Sequence, residues 1–189
     1  LNHYGGNMVN SLTNAVQFGL RDKIVNNKNF EIVVPLYSRL MAKGAGANVK
    51  GIFGSTNWHW SLQDEGSKTF VKSFGTKYGF PPSQAAHTVY CQTLLYADAC
   101  NRAGTFNPCG VGEALEGFEF DGLGNGKTLY RAEDHQCFKD VLVVKGKENP
   151  TSEFDLLEIV EVTPAAQVSY TPDHPMFAGG DLGACNPGA

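Results

Sequence analysis

The sequence predicts an α/β fold built around a parallel sheet. In the first third, short apolar runs alternate with segments in which apolar residues recur at helical spacing. The run FEIVVP at 30–35 is a short apolar strand of the kind that parallel sheets bury on both faces. Hydrophobic residues make up 42% of the chain and charged residues only 18%, which favours a packed globular core. Together these observations indicate βαβ units.

The first third supplies the elements of those units in chain order. Residues 1–4 are typical of the last residues of a strand and are followed by two glycines. A helix is predicted at 7–19, with Asn7 as its N-cap. After FEIVVP come a short helix at 36–46 and a strand at 49–55. Strand and helix therefore alternate, as βαβ crossovers require.

The later segments predict more helices and strands. A loop follows Ser55, and a helix at 65–78 is ended by Gly79-Phe80-Pro81-Pro82. A longer helix is predicted over 84–104, with Gly104 at its C-terminus. The remaining predicted elements are a helix at about 109–117, a hairpin at 118–131, strands at 140–147 and 155–163, and an extended tail rich in Pro and Gly.

Composition excludes several classes of function. The net charge of -4 and the pI near 5.7 give no basic footprint for nucleic acid. The apolar runs are strand-sized, whereas a membrane span needs roughly 18 apolar residues. The five cysteines lack the C-x2-C spacing of zinc sites, and no metal or cofactor is predicted. Their odd number leaves at least one thiol unpaired within the chain.

Two motifs that carry chemistry in other proteins are interpreted differently here. The run GLGNGKT at 122–128 is similar to a phosphate-binding loop, but Asp121 stands where the first glycine of that motif belongs. A hairpin turn is therefore predicted. The run Asp134-His135-Gln136-Cys137 brings acid, imidazole and thiol together, which leaves open a hydrolase or thiol enzyme using His135 and Cys137. Neighbours in an extended segment point to opposite faces, which argues against that alternative.

Polar and aromatic residues follow each predicted strand. The groups are Asn2-His3-Tyr4, then Tyr37 with Arg39, then Asn57-Trp58-His59-Trp60. In open α/β sheets, ligands bind beyond the carboxyl ends of the strands, where these side chains converge. Tyr and Trp present a flat apolar body with one polar group, which suits a small organic ligand. The sequence therefore predicts a ligand site at this edge of the sheet.

The order of these motifs resembles one family. HYGGNM with a helix ending QFGL, followed by VKGIFGSTNW, is similar to type I extracytoplasmic (periplasmic) solute-binding proteins of ABC transporters, in the branched-chain amino acid/amide-binding group. Further matching stretches are KTFVKSFGTKYGFPP, the Tyr-bearing long helix ending in Ala-Gly, ALEG, and DHQ ahead of DVLVVKGK. The resemblance covers about residues 1–147.

The resemblance implies a periplasmic-binding-protein-like type I fold, in which two α/β lobes joined by three crossovers close on a small ligand. It implies a periplasmic binding protein that is not an enzyme and that delivers its ligand to an ABC permease in the membrane. The chain would be the C-terminal portion, completed by a missing N-terminal portion of the same protein. Residues 1–54 would belong to the second lobe, 55–132 to the first lobe, and 133–189 to the crossover strand, terminal strand and tail.

The resemblance also implies ligand-binding residues. Tyr4 falls on a ligand-contacting tyrosine of amino-acid-binding members, and Tyr90 falls near another; His3, Tyr37, Arg39 and Trp58 complete the predicted set. Amino-acid binders carry an acidic residue just beyond the strand that matches FEIVVP, to pair with the ligand ammonium group. Here that segment is PLYSR. A small amide, a urea-like compound or an aromatic acid is therefore predicted rather than a simple α-amino acid, with Arg39 as a partner for a carboxylate.

An extracytoplasmic location permits disulfides, and Cys109 and Cys137 flank the predicted hairpin. A disulfide between them is predicted on that basis. A sensory ligand-binding domain of the same fold, acting without a transporter, remains an alternative that the sequence does not separate from the transport function.

Overall fold

The structure, a computed structural model, describes residues 1–175 and residue 185. The helices are α1 (Gly5–Gln17), α2 (Arg39–Ala45), α3 (Glu65–Tyr78), α4 (Gln84–Ala103), α5 (Pro108–Leu115) and α6 (Ala165–Val168), and a 3₁₀ turn spans Gly46–Val49. The strands are β1 (Ile24–Val25), β2 (Lys28–Asn29), β3 (Val33–Val34), β4 (Phe53–Thr56), β5 (Glu119–Phe120), β6 (Thr128–Tyr130), β7 (Cys137–Phe138), β8 (Val141–Gly146) and β9 (Leu157–Thr163).

The main sheet has the strand order β3-β4-β8-β9. The pair β3–β4 is parallel, as predicted for strands joined by a helical crossover, whereas β8 runs antiparallel to both β4 and β9. The short connection between β8 and β9 forces their antiparallel pairing. Residues 1–4 form no strand, but the Leu1 ammonium group donates a 2.6 Å hydrogen bond to the carbonyl oxygen of Val33 in β3. The α/β class is confirmed, with a mixed sheet.

The long helices α3 and α4 end at the glycines that the sequence predicts, and they begin with side-chain caps that the sequence analysis did not identify. The side-chain oxygens of Asp64 and Ser83 accept backbone N–H bonds of 2.8 and 3.2 Å from the first turns of α3 and α4. Gly79 and Gly104 end these helices with positive φ angles of 76° and 64°.

A hairpin that the sequence analysis missed connects α1 to β3. Strands β1 and β2 pair across the two residues Asn26 and Asn27, whose φ angles are 52° and 60°. Asn tolerates this left-handed region, so an Asn-Asn pair suits a two-residue turn of this hand.

The main core lies between the four-stranded sheet and helices α1 and α2. It buries Met8, Leu12, Val34, Met41, Leu142 and Val144, all at most 3% exposed. A second, smaller cluster of Ala99, Cys100 and Val111 joins α4 to α5. The buried residues of the main core therefore come from 8–52 and 142–157, and the second cluster comes from the segment between these ranges. The lobe boundaries at 54 and 132 stay a prediction.

The GLGNGKT segment is a turn, as predicted, between β5 and β6 of the three-stranded antiparallel sheet β5-β6-β7. Asn125 has a φ of 59°, and its Nδ2 donates to the carbonyl oxygens of Asn57 and Asp140, at 2.5 and 2.8 Å. A Cβ on Gly124 would lie 2.4 Å from the Oγ of Ser67. The loop therefore packs tightly on the start of α3, and a strand follows it where a phosphate-binding loop needs a helix.

The predicted disulfide between Cys109 and Cys137 is wrong. Cys109 is bonded to Cys185, with 5.5 Å between their Cα atoms. Cys137 lies in β7, opposite Tyr130 of β6, where its exposed thiol accepts a hydrogen bond from Gln92 at 3.8 Å. The third strand of the small sheet thus holds Cys137 beside α4. Within residues 1–175, none of the helices combines the length and apolar character that a membrane crossing requires.

Candidate ligand-binding site

A cavity of about 370 Å³ lies where the ends of β3 and β4 meet the start of α4. Its aromatic and apolar wall consists of Tyr4, Tyr37, Leu36 and Val141, and its polar wall of Ser55, Thr56, Asn57, Gln84 and Thr88. Every one of these side chains is uncharged. The cavity therefore offers hydrogen bonds and flat apolar surfaces to a small molecule, but no fixed charge.

Tyr37 is positioned by the parallel pair of strands. Its backbone N–H donates to the carbonyl oxygen of Ser55 in β4 at 2.8 Å, which fixes the segment after β3 against the neighbouring strand. Its side chain is 1% exposed, and its hydroxyl has no hydrogen-bond partner among the described residues. Burial raises the pKa of Tyr37, so the phenol stays neutral.

The helix α4 supplies the opposite wall. Gln84 is its first residue and Thr88 lies one turn later, so both face the cavity. Asn57, just after β4, donates from Nδ2 to Thr88 Oγ1 at 3.3 Å. The carbonyl oxygen of Asn57 also accepts the bond from Asn125. Asn57 therefore connects the end of β4 to α4 and to the 122–128 turn through hydrogen bonds at the edge of the cavity.

His3 and Tyr4 were both predicted as ligand contacts, and only Tyr4 lines the cavity. Tyr4 precedes the first residue of α1, is 55% exposed and lines the cavity. His3 lies outside it, with Nδ1 2.6 Å from Ser11 Oγ. Leu36 occupies the cavity wall just beyond β3, in the region where the resemblance predicts a carboxylate for a binder of amino acids.

Arg39 lies outside the cavity. Its side chain is buried in the first turn of α2, and its guanidinium carbon lies 5.3 Å from the ring centroid of Phe154 and 5.8 Å from that of Phe80. Burial lowers the pKa of Arg39, and the nearby Glu153 partly opposes that effect. The guanidinium group is therefore engaged in packing three segments of the chain together.

Trp58 and Tyr90 also lie apart from the cavity. Trp58 is 1% exposed, donates from Nε1 to Ser67 Oγ at 2.9 Å, and stacks on His87 with ring centroids 4.3 Å apart. Tyr90 stacks on Phe70 in a groove between α3 and α4. Both aromatics join helices rather than face the strand ends, and this packing involves side chains far apart in sequence.

The residues suggested for a thiol enzyme do not form a pair. The Nε2 of His135 lies 2.8 Å from Glu116 Oε1, and Cys137 contacts Gln92. Another imidazole and thiol do meet, because His87 Nε2 lies 3.3 Å from Cys91 Sγ. Burial lowers the pKa of His87 to about 4 and raises the pKa of Cys91, so both groups are neutral and no thiolate forms.

Two other histidines contact hydroxyl groups, and neither lines the cavity. His3 meets Ser11 on the exposed side of α1. His59 is buried, and its Nδ1 accepts the backbone N–H of Ser61 within one turn. Burial lowers the pKa of His59 to about 4, with help from Lys147. These contacts stabilise local structure.

Sequence reasoning missed the wall supplied by α4. Asn57 belonged to the predicted strand-end cluster, but Gln84 and Thr88 carry no local signal, because their place at the cavity depends on how α4 packs. Ser55 and Thr56 lay within or beside a predicted strand, and their position at its carboxyl end is the signal that could have identified them.

The fold is similar to those of solved periplasmic binding proteins. A periplasmic binding protein from Burkholderia mallei aligns with a TM-score of 0.75 and 22% identity, over 89% of this chain and 44% of its own. An amino acid ABC transporter substrate-binding protein from Pseudomonas fluorescens Pf-5 aligns with a TM-score of 0.72 and 22% identity, over 90% of this chain and 44% of its own. A Rhodopseudomonas palustris ABC transporter solute-binding protein in complex with benzoate aligns with a TM-score of 0.67 and 16% identity, over 86% of this chain and 42% of its own.

This chain thus spans less than half the length of those proteins, and identities at this level show the fold alone. No curated protein matches the sequence significantly. The sequence profile described as periplasmic binding protein matches residues 1–151, which is most of the chain. The chain therefore belongs to the periplasmic binding protein family, whose members bind solutes and are not enzymes.

Proposed function

We propose that this chain is part of the extracytoplasmic solute-binding component of an ABC importer, and that the cavity between the strand ends and α4 is its ligand site. The observation that carries the proposal is the meeting of Tyr4, Tyr37, Asn57 and Thr88 around one uncharged cavity. These side chains come from four separate segments, and they face the position at which α/β sheets bind ligands.

The proposed ligand is a small amide, a urea-like compound or an aromatic acid rather than a simple α-amino acid. Leu36 and the neutral residues around it offer no partner for an ammonium group. Removing an ammonium group from water without a partner charge costs several kcal/mol. A volume of about 370 Å³ is near the lower end for ligand pockets. A neighbour of the same fold binds benzoate, which is compatible with an aromatic acid.

Tyr4 and Tyr37 are the proposed ligand contacts from the predicted set, joined by Asn57 and Thr88. His3, Arg39, Trp58 and Tyr90 are proposed to support the fold, because their side chains pack elsewhere. The opposite side of the cleft would come from the remaining part of the same protein, since relatives are more than twice as long. The partner after ligand capture would be an ABC permease in the membrane.

A periplasmic or other extracytoplasmic location is supported by the disulfide between Cys109 and Cys185, since such bonds persist mainly in oxidising compartments. The location can be tested by fractionating cells that produce the protein from its complete natural coding sequence. Recovery in the cytoplasm with reduced cysteines would contradict it.

The function is tested by thermal shift and calorimetry on the protein produced from its complete natural coding sequence. The panel contains amides, urea, aromatic acids and α-amino acids. We expect a member of the first three groups to bind and to raise the melting temperature. Tight binding of leucine would contradict the proposed ligand class, and the absence of any small-molecule binder in a broad metabolite library would contradict the function.

A further inference from the structure

We propose that Arg39 is a positioning residue for the cavity, because its guanidinium group connects the segment that carries Tyr37 to the segment that leads into α4. Arg39 lies outside the cavity and fixes the spacing between its two walls from behind. The consequence for ligand binding rests on the proposed function, whereas the spacing of the walls can be measured without a ligand.

Arg39 adjoins the first wall along the chain. Leu36 and Tyr37 line the cavity, Ser38 caps α2, and Arg39 is the first residue of that helix. The Oγ of Ser38 accepts the backbone N–H of Met41 at 3.1 Å, which fixes the first turn of α2. The backbone of Arg39 is therefore held in a defined place, two residues after Tyr37.

Phe80 adjoins the second wall. It lies in the connection between α3 and α4, four residues before Gln84, which is the first of the cavity residues that α4 supplies. Pro81 and Pro82 follow Phe80, and each proline ring fixes its own φ angle. The connection is therefore stiff, and a displacement of Phe80 is passed on to the first turn of α4.

The guanidinium group of Arg39 contacts two aromatic rings. Its carbon lies 5.8 Å from the ring centroid of Phe80 and 5.3 Å from that of Phe154, and the two rings stack with centroids 6.1 Å apart. A cation within about 6 Å of a ring centroid is attracted to the ring, and more strongly where water is excluded. Arg39 is 6% exposed, and its Nε has no hydrogen-bond partner among the described residues. The guanidinium plane is therefore held at Phe80 by ring contacts.

The other contacts of α4 lie on a different side of the cavity. Thr88 accepts a hydrogen bond from Asn57 at 3.3 Å, and His87 stacks on Trp58 at 4.3 Å. Asn57 and Trp58 directly follow β4, so these contacts hold α4 against the end of that strand. Arg39 supplies a second attachment, to the segment after β3. Two attachments on different sides fix the direction of the start of α4, which one attachment leaves free to turn.

Lys43 offers a matched comparison in the same helix. It lies one turn after Arg39, and its Nζ is 4.5 Å from the ring centroid of Phe154. Of these two cations, Arg39 is the one that lies within cation–π distance of Phe80 in the described part of the chain. Lys43→Met therefore removes a cation from the same helix and the same ring, but it keeps the connection to α4.

The spacing of the two walls can be measured in the protein produced from its complete natural coding sequence. Spin labels are attached at two exposed alanines, Ala47 in the turn after α2 and Ala85 in the first turn of α4, through Ala47→Cys and Ala85→Cys. The exposed Cys137 is changed to Ser so that it takes no label. Pulsed electron paramagnetic resonance then gives the distribution of distances between the labels.

We expect one narrow distance distribution in the wild-type background and in Lys43→Met. In Arg39→Met and in Phe80→Leu, the distribution should broaden or shift, because the start of α4 loses its attachment to α2. Circular dichroism and melting temperature confirm that each variant is folded at the temperature of the measurement.

Calorimetric titration with benzoate, which a neighbour of the same fold binds, measures the consequence for the ligand site. Affinity should fall about tenfold in Arg39→Met and in Phe80→Leu, and the double variant should lose no more than either single variant. Lys43→Met should keep the wild-type affinity. A residue that only stabilised the fold would leave the affinity of the folded protein unchanged.

An unchanged distance distribution in Arg39→Met, or an equal broadening in Lys43→Met, would overturn the inference. An unchanged benzoate affinity in folded Arg39→Met would also overturn it. If the wild-type protein does not bind benzoate, the distance distributions decide the inference. The proposed function fails only if a broad metabolite library also yields no binder.

Discussion

Gly54 and Tyr37 are in direct contact across the parallel strands β3 and β4. A Cβ atom on Gly54 would lie 2.6 Å from both Cβ and Cδ1 of Tyr37, and 2.4 Å from the carbonyl oxygen of Val34. The absence of a side chain at 54 therefore lets the tyrosine ring lie over β4 and border the cavity. One glycine in a strand thus determines where an aromatic side chain stands in the proposed ligand site.

Gly54→Ala should destabilise the protein and displace Tyr37. The new methyl group meets backbone, which cannot move away without breaking the strand pairing, so we expect a loss of about 1–3 kcal/mol in the free energy of unfolding. Urea denaturation measures this loss. Gly75→Ala, in the interior of α3 with nothing within 4 Å of the new Cβ, is the control. It should be neutral or stabilising by about 0.5–1 kcal/mol. Equal stability of wild type and Gly54→Ala would contradict the packing of Tyr37 on β4.

Trp58→Phe should reduce stability and leave ligand affinity unchanged. The substitution removes the indole N–H bond to Ser67 and part of the stack on His87, in a site that is 1% exposed. We expect a loss of about 1–3 kcal/mol in the free energy of unfolding, because a buried hydroxyl loses its partner. Calorimetric titration with the tightest ligand checks the affinity. A tenfold loss of affinity with unchanged stability would show that Trp58 contacts the ligand.

The disulfide between Cys109 and Cys185 should stabilise the protein and leave one reactive thiol. Cys91 and Cys100 are buried, whereas Cys137 is exposed. Native labelling with a maleimide, followed by peptide mass spectrometry, should modify Cys137 alone. Cys185→Ser should lower the free energy of unfolding by about 2–4 kcal/mol. Cys137→Ser should leave it unchanged, and a large loss in that control would support the disulfide that the structure excludes.

Stability should fall as the pH drops from 7 to 5. Burial lowers the pKa of His59 and of His87 from 6.5 to about 4 in the folded protein. Between pH 6.5 and about pH 4, these two histidines are protonated in the unfolded chain and neutral in the folded protein. Lowering the pH through this range therefore favours unfolding. Each histidine should contribute about 2 kcal/mol of this loss.

Denaturation at pH 7 and pH 5 measures that difference in stability. His87→Asn should reduce the difference, whereas the exposed His3→Gln should retain it. A pH-independent stability in the wild type would show that the two imidazoles are not buried as neutral groups.

The sequence predicted local structure well where one residue determines the backbone. Gly79 and Gly104 ended the helices as expected, and the 122–128 turn was identified from its glycines. The β1–β2 hairpin was missed because its strands have two residues each and carry no alternating pattern. The antiparallel course of β8 was missed because the direction of a strand depends on its connections rather than on its own residues.

The sequence predicted only part of the candidate site, because the rest depends on packing between residues that are far apart in sequence. Tyr37 reaches the cavity because it follows β3 at the end of the parallel strand pair, and Tyr4 because it directly precedes α1. Trp58 belongs to the same kind of segment, but Ser67 and His87 hold it in the interior. Thr88 enters the site only through the position of α4, which no short stretch of sequence determines.

The proposed ligand binds between Tyr4, Tyr37 and Thr88. A crystal structure of the protein produced from its complete natural coding sequence, bound to the tightest ligand found by calorimetry, shows where that ligand lies. We expect ligand density in contact with these three side chains. Density at another site, with this cavity filled by water alone, would contradict it.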